Sequence, residues 1–116
     1  MVILYGIKNC DTMKKARTWL DQHKVEYRFH DVRVDGLEEK TLQQWTRSVG
    51  WETLLNTRGT TWRQLSDKDK SNITEAKAIK LMLQHPAMIK RPVLVQNKMV
   101  HVGFKEQEYQ QLFSVQ

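Results

Sequence analysis

The sequence contains few residues that could crosslink the chain or anchor it in a membrane. Its 116 residues include one cysteine, two prolines and five glycines. A single cysteine excludes a disulfide within the chain, which fits a reducing compartment. There is no long uncharged apolar run, and the first residues lack the basic head and cleavage site of a secretory signal. These absences predict a soluble, cytoplasmic protein that does not enter a membrane.

Several kinds of functional site are also missing from the sequence. The four histidines are scattered, and no Cys/His or carboxylate cluster has the spacing of metal ligands. Neither a glycine-rich phosphate loop nor a G-x-S-x-G nucleophile elbow occurs. We therefore expect no metal and no bound cofactor.

The chain carries a net charge of +6 and has a sequence pI near 9.6. Such a charge attracts anions, which include nucleic acids, oxyanions and acidic partners. The basic residues do not form a separate tract, since Lys68 and Lys70 alternate with Asp67 and Asp69. A solvated mixed surface is therefore favoured over a nucleic-acid footprint. The length, with 40% hydrophobic and 28% charged residues, predicts a single domain over residues 1–116, and we expect a monomer.

The N-terminal part of the chain has a β-α-β pattern. Residues 2–7, "VILYGI", form a short apolar run that predicts a buried strand. After Asp11, apolar residues recur at helical spacing. Val25, Tyr27 and Phe29 then alternate with polar residues and predict a second strand.

The rest of the chain predicts a helical insertion followed by a β-β-α pattern. The insertion covers about residues 37–89; one of its helices should end at Gly50, and another should begin with Asn72 as its N-cap, three residues before Glu75. The segments "VLV" and "MVHV" then predict a hairpin, and "KEQEYQQLF" predicts a closing helix. The order β-α-β, helical insertion, β-β-α predicts an α/β, thioredoxin-like fold with a four-stranded mixed sheet.

The single cysteine, Cys10, lies in the predicted turn between the first strand and the first helix. A helix N-terminus favours an anion, and the nearby Lys8, Lys14 and Lys15 could add to that field, so a reactive thiolate is favoured. The alternative is a small buried hydrophobic residue. A redox dithiol would need a second sulfhydryl three residues later, where Met13 stands. Any oxidised Cys10 must therefore be resolved by an external thiol, most simply glutathione, or by a partner protein.

A second candidate element is "MIKRPVLV", in which a proline enters a predicted strand. In a thioredoxin-like arrangement Pro92 would lie opposite the Cys10 turn, after a cis bond, and Arg91 would reach the thiol. The planar, charged guanidinium suits an oxyanion or a carboxylate. A surface ion pair is the alternative for Arg91.

Several segments together resemble the arsenate reductase-like ArsC/Spx/YffB family, most closely its YffB branch. They are "GIKNCDTMKKA", "LLNTRG", "LMLQHPAMIKRPVLV" and "VGF". The resemblance implies a thioredoxin-like fold with a helical insertion and a catalytic thiolate at Cys10. The arsenate reductases of this family use three arginines to bind the oxyanion, and Arg58 and Arg91 match two of them. Gly103 occupies the place of the third, with Lys105 only nearby, so arsenate is not expected to be the main substrate.

These observations predict a glutathione-dependent thiol reductase with a single nucleophilic cysteine. Cys10 would attack, and four cationic residues would bind the anionic substrate: Arg91, Arg58, Lys8 and Lys14. Asn9, Pro92 and Gly103 would shape the site. The reductant would be glutathione or a glutaredoxin-like protein. The alternative is a regulatory module that binds a protein partner in the manner of Spx, without catalytic turnover, although "CDTM" departs from the paired cysteines of many Spx proteins.

Overall fold

The computed structural model describes residues 1–113. The chain divides into two units, one formed by residues 1–32 with the segment that starts at Arg91, the other by residues 33–90. The predicted insertion of about 37–89 lies inside the second unit. That residues 1–116 form a single domain stays a prediction.

The described residues form four strands, seven α-helices and a short 3-10 helix at Pro86–Met88. The strands are β1 Val2–Gly6, β2 Tyr27–Asp31, β3 Val93–Gln96 and β4 Met99–Val102. The α-helices are α1 Asp11–Gln22, α2 Glu39–Val49, α3 Trp51–Leu54, α4 Thr60–Arg63, α5 Asp67–Lys70, α6 Glu75–Gln84 and α7 Glu106–Leu112.

All four strands belong to the first unit and form one mixed sheet in the order β2-β1-β3-β4. Strand β1 is parallel to β2 and antiparallel to β3, which pairs with β4 as a hairpin. The hairpin turn is Asn97–Lys98, and Asn97 takes the left-handed conformation (φ 56°) that asparagine tolerates. The α/β, thioredoxin-like fold with a four-stranded mixed sheet is therefore confirmed.

Helix α1 packs against the sheet through residues at the spacing that the sequence predicts. Burial of this apolar face stabilises the helix, since a 12-residue helix is marginal by itself. Tyr109 of α7 joins the same core and is completely buried. The core cluster of the first unit consists of Val2, Leu4, Met13, Ala16, Trp19, Leu20, Leu94 and Tyr109.

The second unit is helical, as predicted, but one of its predicted boundaries is wrong. Helix α2 ends at Gly50, whose φ of 87° suits glycine at a helix end. The N-cap of α6 is Thr74, not Asn72, because the Thr74 hydroxyl accepts a hydrogen bond from the Lys77 amide at 3.2 Å. Asn72 lies outside the helix in the left-handed conformation.

Backbone contacts also hold the segment that ends the second unit. Leu55 forms an isolated antiparallel bridge with Ile89, and the Lys90 amide donates to the Leu54 carbonyl at 2.8 Å. Among the helices described for residues 1–113, none has the length and apolar character that a membrane crossing requires.

Candidate active site around Cys10

Cys10 is the last residue before α1 and serves as the N-cap residue of that helix. Its backbone is extended (φ −119°, ψ 130°), and its carbonyl accepts the first helical hydrogen bond, from the Lys14 amide at 3.0 Å. The sulfur therefore lies at the end of the helix where unpaired amides and the macrodipole favour negative charge. The side chain is partly exposed, so an external reactant can reach it.

The surroundings of Cys10 favour the thiolate. Burial raises the pKa of the thiol, but the backbone N–H of Met13 and the Arg91 side chain lower it more. Arg91 acts both as a hydrogen-bond donor and as a positive charge, and the N–H of Thr12 adds to its effect. The sulfur does not form a regular capping hydrogen bond, so the amides stabilise its charge without ideal geometry. The pKa of Cys10 is lowered as a result, which is the direction predicted from the sequence.

The charge that lowers the pKa of Cys10 comes from Arg91 rather than from the nearby lysines. Lys8, Lys14 and Lys15 are exposed. Lys14 points along the outer face of α1, where it lines a cavity of about 360 Å³ together with Trp19 and Phe104. A role for Lys8 and Lys14 in anion binding stays a prediction.

Arg91 is delivered by the segment that enters β3. The Arg91–Pro92 peptide bond is cis, as the sequence suggested, and Pro92 is completely buried. The Pro92 carbonyl accepts a hydrogen bond from the Gly103 amide at 2.8 Å. Gly103 follows β4 with a φ of 87°, a conformation that glycine adopts without strain. The structure thus brings together Pro92 and Gly103, two of the three residues that were predicted to shape the site.

The turn that precedes Cys10 is held by a residue that the sequence analysis missed. The Lys8 amide donates to the carboxylate of Asp31 at 3.2 Å, and Asp31 is 7% exposed. Asn9 lies exposed in the same turn. A signal for Asp31 was present, because it continues the alternation of Tyr27 and Phe29 and thereby places a carboxylate on the inward face of the strand.

Arg58 belongs to the second unit and lies between α3 and α4. Its amide donates to Asn56 Oδ1 at 3.0 Å, and its carbonyl accepts from Arg63 Nη2 at 2.9 Å. The exposed side chain lines a cavity of about 540 Å³ with Trp51 and Lys90. The turn is held on both sides of the Arg58 peptide, and the anion-binding role of Arg58 stays a prediction.

No group of three or more histidine, cysteine, aspartate or glutamate side chains within residues 1–113 is arranged to hold a metal ion. Three features of the described site bear on its chemistry. These are a partly exposed sulfur with a lowered pKa, a guanidinium in contact with it, and backbone amides at a helix N-terminus.

Comparison with known proteins shows which family and which solved structures the chain resembles. The family model of the ArsC family matches residues 5–112. The solved structure of a YffB protein is 54% identical, with a TM-score of 0.91 over 94% of this chain and 96% of that one. An arsenate reductase (ArsC) related protein from Brucella melitensis is 49% identical, with a TM-score of 0.78 over 98% of this chain and 95% of that one.

A regulatory protein is also similar along the length of the chain. The global transcriptional regulator Spx of Streptococcus mutans is 30% identical over 111 residues, which cover 93% of this chain and 80% of that protein. The family thus includes relatives named for reduction and relatives named for regulation. With the match to residues 5–112, these similarities show that the chain belongs to the ArsC family.

Proposed function

We propose that this protein is a thiol reductase that uses Cys10 as its single nucleophile and glutathione as its co-substrate. The observation that supports this proposal best is the lowered pKa of a partly exposed cysteine in contact with Arg91. Attack on an oxidised sulfur requires the thiolate, and an ordinary cysteine is mostly protonated at neutral pH. Reaction through glutathione also requires a reducing compartment, and we propose the cytoplasm.

The reaction consists of two thiol–disulfide exchanges. The Cys10 thiolate attacks the glutathione sulfur of a mixed disulfide, forms a Cys10–glutathione disulfide, and releases the substrate as a thiolate that takes up a proton. A second glutathione, as its thiolate, then attacks the glutathione sulfur of that adduct. Cys10 leaves as the thiolate and glutathione disulfide is released. Across both exchanges, one glutathione thiol reduces the mixed disulfide to the substrate thiol and glutathione disulfide, and no further oxidant or reductant is needed.

The residues around Cys10 have separate parts in this reaction. Arg91 stabilises the thiolate before attack and binds an anionic group of the substrate, because its guanidinium can donate to a carboxylate. Met13 stands three residues after Cys10 and is completely buried. It has no thiol, so it cannot resolve the adduct from within the chain, and the second glutathione or a glutaredoxin-like protein must do so.

Regulation through a protein partner is the second candidate, supported by the similarity to Spx over 93% of the chain. In that case Cys10 would be modulatory and no turnover would be required. The two functions differ in what they require of the thiol, because only the reductase needs Cys10 ionised at neutral pH.

Mild oxidation in the presence of glutathione is expected to give one mixed disulfide, at Cys10. The expected mass increase is that of one glutathionyl group, since Cys10 is the only thiol in the chain. Intact-mass spectrometry before and after addition of dithiothreitol measures it, and Cys10→Ser is the control that should stay unmodified. Formation of no adduct by the wild-type protein would contradict the proposed reductase and favour the regulatory function.

Arsenate is expected to be a poor substrate, and Gly103→Arg is expected to increase its turnover. Only two arginines, Arg58 and Arg91, match the three oxyanion-binding arginines of the arsenate reductases, and Gly103 adds no third charge. A Cβ at Gly103 would meet nothing within 4 Å, so the first atom of the new side chain is not obstructed. The arginine would pay on the order of 1 kcal/mol for the left-handed backbone. Arsenate reduction with glutathione and glutaredoxin supplied is the measurement.

Gly36→Arg is a matched control for this substitution. Gly36 has nearly the same φ, 84°, and equally open surroundings, but it does not occupy the place of the third arginine. The Gly36→Arg variant should add the same charge and the same backbone cost without increasing arsenate turnover. Equal arsenate turnover by the wild-type protein and Gly103→Arg would show that a third arginine is not what limits this chain.

A further inference from the structure

Asp31 is the only buried carboxylate among residues 1–113, and it lies at the end of β2. The other buried polar residue, Thr46, donates to the Gln43 carbonyl of its own helix at 2.8 Å. Asp31 instead accepts a hydrogen bond from an amide 23 residues away, that of Lys8. Burial of a carboxylate costs free energy unless its bonding is satisfied. A long-range contact to the turn before the nucleophile therefore points to a role in that turn.

The strand register explains how Asp31 reaches the turn. Gly6, the last residue of β1, is paired with Asp31, and the Val32 amide donates to the Gly6 carbonyl at 2.9 Å. The chain leaves the sheet immediately after Gly6, so the first peptides of the turn pass beside the Asp31 carboxylate. The Lys8 amide is the one that Asp31 holds, two residues before Cys10.

The turn is consequently anchored at both ends. The Asp31 carboxylate holds its Lys8 peptide, and the Lys14 amide holds the Cys10 carbonyl in the first turn of α1. Between these anchors the position of the sulfur relative to Arg91 and the helix amides depends on the path of two peptides. Interactions with a charged sulfur weaken steeply when donors are displaced or misaligned.

We propose that Asp31 is a positioning residue for the nucleophile: by holding the Lys8 amide it places the Cys10 sulfur at the N-terminus of α1 and against Arg91. This inference deepens the proposed reductase function, since it concerns the same thiol. The contact that carries this role is the hydrogen bond from the Lys8 amide. Asp31 acts through the backbone of the turn.

Two substitutions separate this role from the effect of charge. Asp31→Asn keeps an oxygen that can accept from Lys8 but removes the negative charge. Asp31→Ala removes both. A negative charge near a thiolate disfavours it, so loss of charge alone should lower the pKa of Cys10 in both variants. Loss of the anchor should raise that pKa, and only Asp31→Ala loses the anchor.

The experiment is the rate of Cys10 alkylation by iodoacetamide as a function of pH. Asp31→Asn should keep the wild-type midpoint or lower it, whereas Asp31→Ala should shift the midpoint upward. At pH 7 Asp31→Ala should then react about three to ten times more slowly than Asp31→Asn. Thr46→Val is the control for lost stability, because it removes the other buried polar bond and should leave the midpoint unchanged. Equal midpoints for the Asn and Ala variants, or an equal shift in Thr46→Val, would overturn the proposal.

Amide hydrogen exchange tests the same contact in the wild-type protein, in case Asp31→Ala does not fold. The Lys8 amide should exchange at least tenfold more slowly than the amide of Asn9, which lies exposed in the same turn. Equal exchange rates would overturn the proposed anchor. Neither measurement uses glutathione, so a wild-type protein that forms no glutathione adduct would contradict the reductase function but not the role of Asp31.

Discussion

Arg91→Ala is expected to raise the pKa of Cys10 and to slow its alkylation at pH 7 by roughly three- to tenfold. A charge-assisted hydrogen bond is worth about 1.5–3 kcal/mol when well formed, and solvent screening at this partly exposed thiol reduces that value. The backbone amides of Met13 and Thr12 remain in the variant. The pKa of Cys10 in Arg91→Ala should therefore stay below that of an ordinary cysteine.

The effect of Arg91→Ala should depend on pH in a defined direction. The variant should react more slowly near neutral pH, because a smaller fraction of its Cys10 is thiolate there. Well above the ordinary pKa of a cysteine both proteins are fully ionised, and the variant should no longer be the slower protein. At that pH the variant should react at least as fast as the wild-type protein, because a thiolate of higher pKa is the better nucleophile. Alkylation rates measured from pH 5 to 10 cover both the neutral range and the range in which both thiols are ionised.

Two further variants control for charge and for general effects of an arginine substitution. Arg91→Lys keeps the charge but loses the planar fork, so it should fall between the wild-type protein and Arg91→Ala. Arg28→Ala removes an exposed arginine from β2 in the same unit and should leave the profile of Cys10 unchanged. An unchanged profile in Arg91→Ala would show that Arg91 does not stabilise the thiolate.

Local features of the sequence were sufficient to predict the position of Cys10. The change from an apolar run to helical spacing occurs around Cys10, and both patterns are properties of neighbouring residues. Pro92 was predictable for a similar reason, because a proline that enters a strand removes a backbone donor and has few tolerated positions.

Contacts across the sheet could not be predicted in the same way. The bond from Lys8 to Asp31 requires the parallel register that pairs Gly6 with Asp31. The sequence indicates which face of a strand a residue occupies but not which residue of the next strand lies beside it. The prediction of the α6 N-cap was wrong for a different reason. Asn72 and Thr74 are both good N-cap residues, and only the path of the backbone selects between them.

Met13 matters for the packing of the core as well as for the chemistry of Cys10. In the sequence, Met13 stands where a redox dithiol would have its second cysteine, so Cys10 has no partner thiol within the chain. In the structure the Met13 side chain is completely buried and lies over Gly6, the last residue of β1. A Cβ on Gly6 would overlap with Met13 Sδ and lie 2.5 Å from its Cε. The first turn of α1 and the end of β1 therefore approach each other closely only because residue 6 is glycine.

Gly6→Ala is accordingly expected to lower the free energy of unfolding by roughly 2–3 kcal/mol, at the upper end of what overpacking costs. The methionine end is flexible, but it is enclosed in the core cluster and has no exposed space to enter. Urea denaturation is the measurement. Gly59→Ala is the control, because its Cβ would approach only Asn56 Nδ2, at 3.1 Å, and its φ of −84° suits alanine. That control should change stability by less than about 1 kcal/mol.

The double variant Gly6→Ala/Met13→Ala tests whether the contact with Met13 is the cause. Met13→Ala alone should cost about 2–5 kcal/mol, because it leaves a cavity in the core. In the double variant the new methyl group enters the space that the methionine vacated. The loss in free energy of unfolding of the double variant should therefore be smaller than the sum of the losses of the two single variants by roughly 1–3 kcal/mol. Purely additive costs would show that Gly6 is constrained by something other than Met13.

Because Met13 also supplies an amide that stabilises the Cys10 thiolate, the single variant Gly6→Ala should raise the alkylation midpoint of Cys10 as well. The double variant should bring that midpoint back toward the wild-type value.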